Sequence, residues 1–317
     1  LTEITLPQTI KRFCILHNSD LFSKETIVKI PHYTLEEIKN NITSDYGGQI
    51  GDYLPFGAKA ILYKGTYIDT TGEFVFTDNG SLVGYLGNSE DITIPEKLSS
   101  DDLSKEVNIT TIASSAFRGN NKIKTLNMPY ITNIEQQAFM SCSNLTKVDI
   151  PKVTTIEQST FYSCQKLNSV NMPNVISIGN GAFFNCISLS SIDLTEVTNI
   201  EEGNVNQRGA FEASGLVNVY IPKLTALGTY TFRECKKLES VVAPELLEIK
   251  SQAFLWDSKL TTIQMPKVKT ISGGQVFEGT NLKYVDLPEL ESLGSSAFDY
   301  CKNLVSVNIP KAKNVAG

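Results

Sequence analysis

AFMSCSNLTKVDIP, at residues 138–151, returns twenty-two residues later as TFYSCQKLNSVNMP, at residues 160–173. The same phrase recurs to the end of the chain, with a phenylalanine in each of nine copies. A proline closes every copy except one, in which Thr195 takes its place. A short unit that repeats at a fixed period predicts a solenoid of stacked coils. The repeat phenylalanines are Phe117, Phe139, Phe161, Phe183, Phe211, Phe232, Phe254, Phe277 and Phe298.

Each repeat contains two stretches that predict short β-strands. The apolar residues of Leu-x-x-Val-x-Ile alternate at the end of the segment, as a strand with one buried side requires. A second apolar pair follows the proline, as in Val153 and Ile156. The residues before each phenylalanine predict a turn of helix that carries the ring inward. We therefore expect an α/β fold, a right-handed solenoid that is mainly parallel β with short helical turns and one shared core.

The pattern A-F-x-x-C-x-x-L-x-x-V-x-I-P-x-V-T-x-I closely resembles the BspA-like, or Treponema pallidum-type, leucine-rich repeat. The resemblance implies a leucine-rich solenoid in a bacterial or protist surface protein. Such proteins are often lipoproteins that act in adhesion or bind host proteins. The resemblance therefore implies an extracellular or cell-surface location, with lipid anchoring through a leader outside this chain. The implied partner is a host or matrix protein or a glycan.

The extent of the repeats divides the chain into three parts. Residues 112–317 hold the array of nine coils. Residues 71–111 hold an acidic insertion and a predicted hairpin, FVFTDNGSLVGY at 74–85, which resembles the N-terminal hairpin cap that shields the first coil in this family. Residues 1–70 leave two alternatives open, namely the tail of a preceding array or a small separate domain. Because the chain opens at Leu1 without a leader, we expect a mature or excised piece of something longer.

Composition excludes several classes of function. The net charge of −6 and the pI of 5.2 provide no basic surface for nucleic acid. The sequence lacks the run of about 18 apolar residues that a membrane-spanning helix needs, so we expect no membrane insertion. We expect a monomer without a cofactor.

Five of the six cysteines occupy one slot of the repeat. They are not spaced as zinc ligands, so we expect no metal site. Other coils place Asn120, Ser214, Asp257 and Thr280 in this slot, which indicates a small polar side chain that bonds to loop backbone. We therefore predict a structural ladder of free thiols. The five are Cys142, Cys164, Cys186, Cys235 and Cys301, and Cys14 stays unassigned.

The outward positions of the predicted strands are the first candidates for ligand binding. In the first half of the array these positions form a polar, mildly acidic strip that includes Asp149 and Asp193. The second half gains Tyr220, Val242 and Tyr284. Aromatic side chains on a hydrogen-bonding surface are typical of protein and glycan binders, although tyrosine also simply favours strands. Asp149 and Asp193 lie two coils apart, too far to share one calcium ion alone.

The second candidate is a loop of six extra residues at 203–208, which includes Asn204 and Arg208. Insertions on one side of a solenoid are often where binding is added, although many are neutral drift.

Catalytic motifs are missing from the sequence. The two histidines, His17 and His32, both lie outside the array, so the solenoid has no histidine base. We therefore expect a non-enzymatic cell-surface binding or adhesion module that uses the concave face of the solenoid. The alternative is a structural spacer within a longer surface protein, without a specific ligand.

Overall fold

The computed structural model describes residues 3–5, 13–15, 27–30, 42–44 and 60–63, and then 65–316 apart from 102 and 205. The first five strands form two parallel ladders, β1-β3-β5 and β2-β4. Most of residues 1–70 lies outside the described residues, and the two alternatives for this segment stay predictions. The five strands are β1 (Glu3–Thr5), β2 (Phe13–Ile15), β3 (Ile27–Ile30), β4 (Ile42–Ser44) and β5 (Ala60–Tyr63).

An antiparallel cap precedes the array, as the sequence predicts. Three strands pair antiparallel in the order β6-β7-β8, and β8 then pairs in parallel with β12. The acidic insertion forms its own hairpin, β10-β11. The cap therefore provides the first coil with a neighbour and covers its edge. The strands are β6 (Thr66–Ile68), β7 (Phe74–Thr77), β8 (Ser81–Tyr85), β9 (Asp91–Thr93), β10 (Lys97–Ser99), β11 (Glu106–Asn108) and β12 (Thr111–Ile112).

Two interrupted parallel sheets run the length of the array. Strands of the Leu-x-x-Val-x-Ile segment form what we call the first sheet, which β9 begins. It continues through β13 (Thr125–Asn127), β15 (Lys147–Asp149), β17 (Ser169–Asn171), β20 (Asn218–Tyr220), β22 (Ser240–Val242), β24 (Thr262–Gln264), β26 (Tyr284–Asp286) and β28 (Ser306–Asn308).

Strands that follow the proline turns form the second sheet, which the cap begins through β8 and β12. Each of these later strands is two residues long. They are β14 (Asn133–Ile134), β16 (Thr155–Ile156), β18 (Ser177–Ile178), β19 (Asn199–Ile200), β21 (Ala226–Leu227), β23 (Glu248–Ile249), β25 (Thr270–Ile271), β27 (Ser292–Leu293) and β29 (Asn314–Val315).

A continuous stack of phenylalanine rings fills the centre of the array. Neighbouring ring centroids lie 5.2–5.7 Å apart. Tyr85 of the cap extends the stack, 6.1 Å from the ring of Phe117. The rings from Phe117 to Phe277 are buried, each between rings of the coils on both sides, and the last ring, Phe298, is partly buried. No coil therefore forms its core alone. The insertion at 203–208 does not interrupt the stack, because Phe183 and Phe211 remain 5.4 Å apart.

The predicted helical turns are absent, since the described residues contain no helix. In these segments the residue two after the phenylalanine takes positive φ in all nine coils, and the residue two before it does so in every coil except that of Phe211, as Gln137 and Ser141 do around Phe139. This alternation points the amides along the array. Phe139 donates its N–H to the carbonyl of Thr160 in the next coil at 3.0 Å, and Ser141 donates to Tyr162 at 2.7 Å. These hydrogen bonds join coils, whereas a helix would form them within one coil.

Candidate ligand-binding surface

Tyr220 and Val242 lie side by side on the outward face of the first sheet. The register of β20 and β22 pairs the two residues directly, while Val219 and Val241 point into the core. The tyrosine side chain is 53% exposed. Strand alternation therefore produces an aromatic and an aliphatic side chain in contact range on the solvent side.

Tyr284 lies apart from this pair. It is 67% exposed and begins β26, where its register partner is Ser306. Its coil is the third after that of Tyr220, which corresponds to about 14 Å at the usual strand spacing. The structure thus brings Tyr220 and Val242 together, and it places Tyr284 at a separate position along the same sheet.

Asp149 and Asp193 each bond within the solenoid. Asn171 of the next coil donates its side-chain amide to Asp149 at 2.6 Å. Asp193 accepts the backbone N–H of Thr195 at 3.0 Å and its hydroxyl at 2.7 Å. That N–H exists because this coil lacks the usual proline, and here the first sheet is interrupted. The described residues contain no group of three or more side chains suited to a metal ion.

The loop at 203–208 folds back onto its own coil. Asn204 and Gln207 exchange backbone hydrogen bonds of 2.8 and 3.0 Å, which closes the loop. The Arg208 guanidinium lies over the Phe184 ring at 5.1 Å and binds Oε1 of the buried Glu212 at 3.1 Å. Asn204 and Arg208 therefore make contacts that hold the loop in place, and a binding role for them stays a prediction.

The cysteine slot forms the ladder that its residue types predict. All five thiols in it are free, and each donates to the carbonyl of a phenylalanine in the preceding coil at 3.0–3.2 Å. Burial raises the pKa of Cys142 and of Cys186 to about 12. Burial also raises the pKa of Cys164, Cys235 and Cys301, so these thiols are protonated donors at neutral pH.

Asp257 is the one acidic residue in this slot of the repeat. Its carboxyl group is fully buried, and Oδ1 accepts the N–H of Cys235 at 2.8 Å. Oδ2 is buried without a hydrogen-bond partner. Burial, rather than the more distant Glu234, is the main reason that the pKa of Asp257 lies well above its ordinary value.

An exposed pair of aromatic side chains was not predicted from the sequence. Trp256 and Tyr300 occupy the slot two residues after the repeat phenylalanine, and their ring centroids lie 5.8 Å apart. The sequence signal is the chain's only tryptophan, in a slot that holds glycine, serine or asparagine in five other coils. A helical turn predicted for this segment gave no reason to compare this slot from coil to coil, so the pair was missed.

Comparison with known proteins identifies the family. The model of the BspA-type leucine-rich repeat region matches residues 88–208 and 204–316, with six copies. The chain belongs to this family. A search of curated proteins finds no significant match. No helix in the described part of the chain is long and apolar enough to cross a membrane.

One solved structure shares the fold at low sequence identity, and two others align with lower structural similarity. A leucine-rich repeat protein from Bacteroides ovatus aligns over 73% of this chain with 23% identity and a TM-score of 0.57. The aligned region spans 65% of that protein's length. The Treponema pallidum leucine-rich repeat protein aligns over 64% of this chain and 82% of its own, at 23% identity and a TM-score of 0.44. A leucine rich cell surface protein from Faecalibacterium prausnitzii aligns over 79% and 94%, at 20% identity and a TM-score of 0.33.

Proposed function

We propose that this chain is a non-enzymatic binding module of a cell surface, and that it contacts a host or matrix protein through the outward face of the first sheet. Membership in the BspA-type family supports the surface location, because proteins of this type are often surface proteins. The proposed module acts as a monomer, and a leader outside this chain anchors it to lipid.

The solvent-facing pair of the exposed Tyr220 and the half-buried Val242 is the observation that carries the proposal. Apolar side chains that face solvent from a sheet gain free energy when a partner buries them, at about 25 cal/mol for each Å². Tyrosine is also among the residues that dominate protein interfaces. Tyr284, on the same sheet, provides a second contact about 14 Å away, a separation that a protein partner easily spans.

A structural spacer is the second candidate, and one observation favours it. Polar side chains on the outward face bond to one another from coil to coil. Ser240 donates to Asn218 at 2.6 Å, and Asn308 donates to Asp286 at 2.7 Å. Polar groups that are already paired leave fewer hydrogen bonds for a ligand. Such a face is what a spacer, which only holds other modules apart, would require.

Surface plasmon resonance of the full chain against a panel of immobilised extracellular-matrix proteins tests the proposal. We expect saturable binding to at least one protein at two salt concentrations. The double variant Tyr220→Ser and Val242→Ser is expected to weaken it about 30-fold, equivalent to the loss of about 2 kcal/mol at a hot spot. Tyr130→Ser is the matched control, because Tyr130 is an exposed tyrosine outside both sheets.

Two outcomes would contradict the proposal. Binding that is equally strong in the double variant and in the control would place the contact elsewhere. An absence of saturable binding across the whole panel would favour the spacer.

A further inference from the structure

The slot two residues after the repeat phenylalanine carries a second candidate site. Residues in this slot take positive φ in all nine coils, a conformation that strongly disfavours bulky side chains. Trp256 and Tyr300 nevertheless take it, with φ of 63° and 56°. The coil itself does not require an aromatic ring here, since the other occupants are Gly119, Ser141, Ser163, Asn185, Ala213, Glu234 and Gly279.

Gly279, in the coil between them, allows the two rings to meet. A methyl group at this glycine would lie 2.3 Å from Cε3 of Trp256 and 2.7 Å from its Cζ3. The indole therefore lies over the backbone of Gly279 and reaches toward Tyr300. The two ring planes differ by 34°, with centroids 5.8 Å apart. Together the rings form one aromatic surface across three coils, which we call the Trp256–Tyr300 platform.

The platform is open to solvent on a part of the coil that belongs to neither sheet. Trp256 is 43% exposed and Tyr300 is 66% exposed. If fully exposed rings of this size offer 150–250 Å² each, the platform offers roughly 250 Å². A stable protein interface needs about 800 Å² from each partner, so the platform alone would supply roughly a third of one, whereas it is large enough for a small ligand.

Residues of both charge signs lie close to the platform along the chain. Glu234 occupies the same slot in the coil before Trp256, and Asp299 precedes Tyr300. The exposed Lys236 and Lys302 follow these positions closely, and each donates its backbone N–H to the carbonyl of the slot residue at 2.8–2.9 Å. Carboxylates and ammonium groups beside an apolar surface provide acceptors and donors for the hydroxyl groups of a neutral ligand.

We propose that the Trp256–Tyr300 platform binds a neutral hexopyranose glycan. The electron-rich face of an aromatic ring attracts the weakly positive C–H groups that one face of a pyranose presents. The hydroxyl groups at the sugar's rim then bond to the charged side chains around the platform. Neutral sugars lack the charge that would bring them to an ion-binding site, so ring stacking provides the main attraction. This site shares no residue with the first sheet, so each of the two binding proposals can be refuted without the other.

Trp256 reports on its own site, because it is the only tryptophan among 317 residues. Titration of the full chain with cello-, chito- and manno-oligosaccharides of four to six rings is expected to change its fluorescence saturably for at least one series. Calorimetry then compares variants on that oligosaccharide. Tyr300→Ala is expected to weaken binding about tenfold, the range that one stacking ring contributes, and Tyr300→Phe is expected to retain it.

Two control variants keep the test specific. Tyr130→Ala removes an exposed tyrosine elsewhere, and Tyr220→Ser alters the first sheet, and both are expected to leave sugar binding unchanged. Sugar binding that persists undiminished in folded Tyr300→Ala would overturn the proposal. Fluorescence that no neutral oligosaccharide changes would also overturn it, as would saturation only by heparin as an anionic probe or by a matrix protein.

Discussion

Asp257→Cys should make the protein more stable at neutral pH. The wild-type carboxyl group is buried, and its Oδ2 has no hydrogen-bond partner. A cysteine in its place restores the residue that five other coils use, with a thiol positioned to donate to the carbonyl of the preceding phenylalanine. The N–H of Cys235 loses the Asp257 acceptor but keeps its bond to the carbonyl of Phe232 at 3.0 Å.

The structure sets the size and the pH dependence of this effect. A buried polar atom without a partner costs about 1–3 kcal/mol, so we expect the free energy of unfolding to rise by about that amount at pH 7. Because burial raises the pKa of folded Asp257, its carboxyl group contributes most stability below the unfolded pKa of about 3.9. That contribution is lost as the pH rises toward the folded pKa. The advantage of the variant is therefore expected to grow from pH 4 to pH 7.

Thermal unfolding at pH 4, 5.5 and 7 checks this prediction. The expected increase in Tm at pH 7 is about 1.5–4.5 °C for a chain of this size. Asp299→Asn is the matched control, because that aspartate is exposed and its change should leave the pH profile of Tm as it is. An equal gain at pH 4 and pH 7, or no gain at pH 7, would refute the reasoning.

Three further substitutions test the packing. Phe161→Ala removes a ring stacked at 5.5 Å on both neighbours and is expected to lower the free energy of unfolding by about 3–5 kcal/mol, while a loss below about 1 kcal/mol in denaturant titration would contradict the stacked core. Gly279→Ala places a methyl group against the indole of Trp256, at a position whose φ is positive. It is expected to shift Trp256 fluorescence and to lower the free energy of unfolding by about 1–2 kcal/mol, and an unchanged spectrum would refute the contact. Arg208→Ala leaves the buried Glu212 with the N–H of Gly209 and is expected to cost about 1–3 kcal/mol by calorimetry, and a neutral outcome would show that the loop stands without that ion pair.

Most of the fold could be predicted because the repeat applies one physical rule in every coil. The spacing of Phe139, Val148 and Val153 fixes which residues point inward, and stacking then follows from the need to bury them. The cap hairpin was predictable from its turn residues, and the thiol ladder from the small polar residues that replace cysteine.

The turns around the phenylalanines could not be predicted in this way. Positive φ at Gln137, Ser141 and Tyr230 is imposed by hydrogen bonds to the next coil. The residue types at these positions do not predict that conformation. Because a helical turn was expected there, the sequence did not indicate that Trp256 and Tyr300 would meet. On the first sheet, the repeat alignment indicated outward tyrosines, and the register shows that Tyr220 pairs with Val242 whereas Tyr284 pairs with Ser306.

Hydrogen exchange of the full chain, with and without a saturating matrix protein from the binding panel, tests the proposed binding surface most directly. The account predicts slower exchange of backbone amides at 218–220 and 240–242, with that of the amides around Tyr130 unchanged. Protection confined to segments outside the first sheet, with none at these two strands, would contradict it.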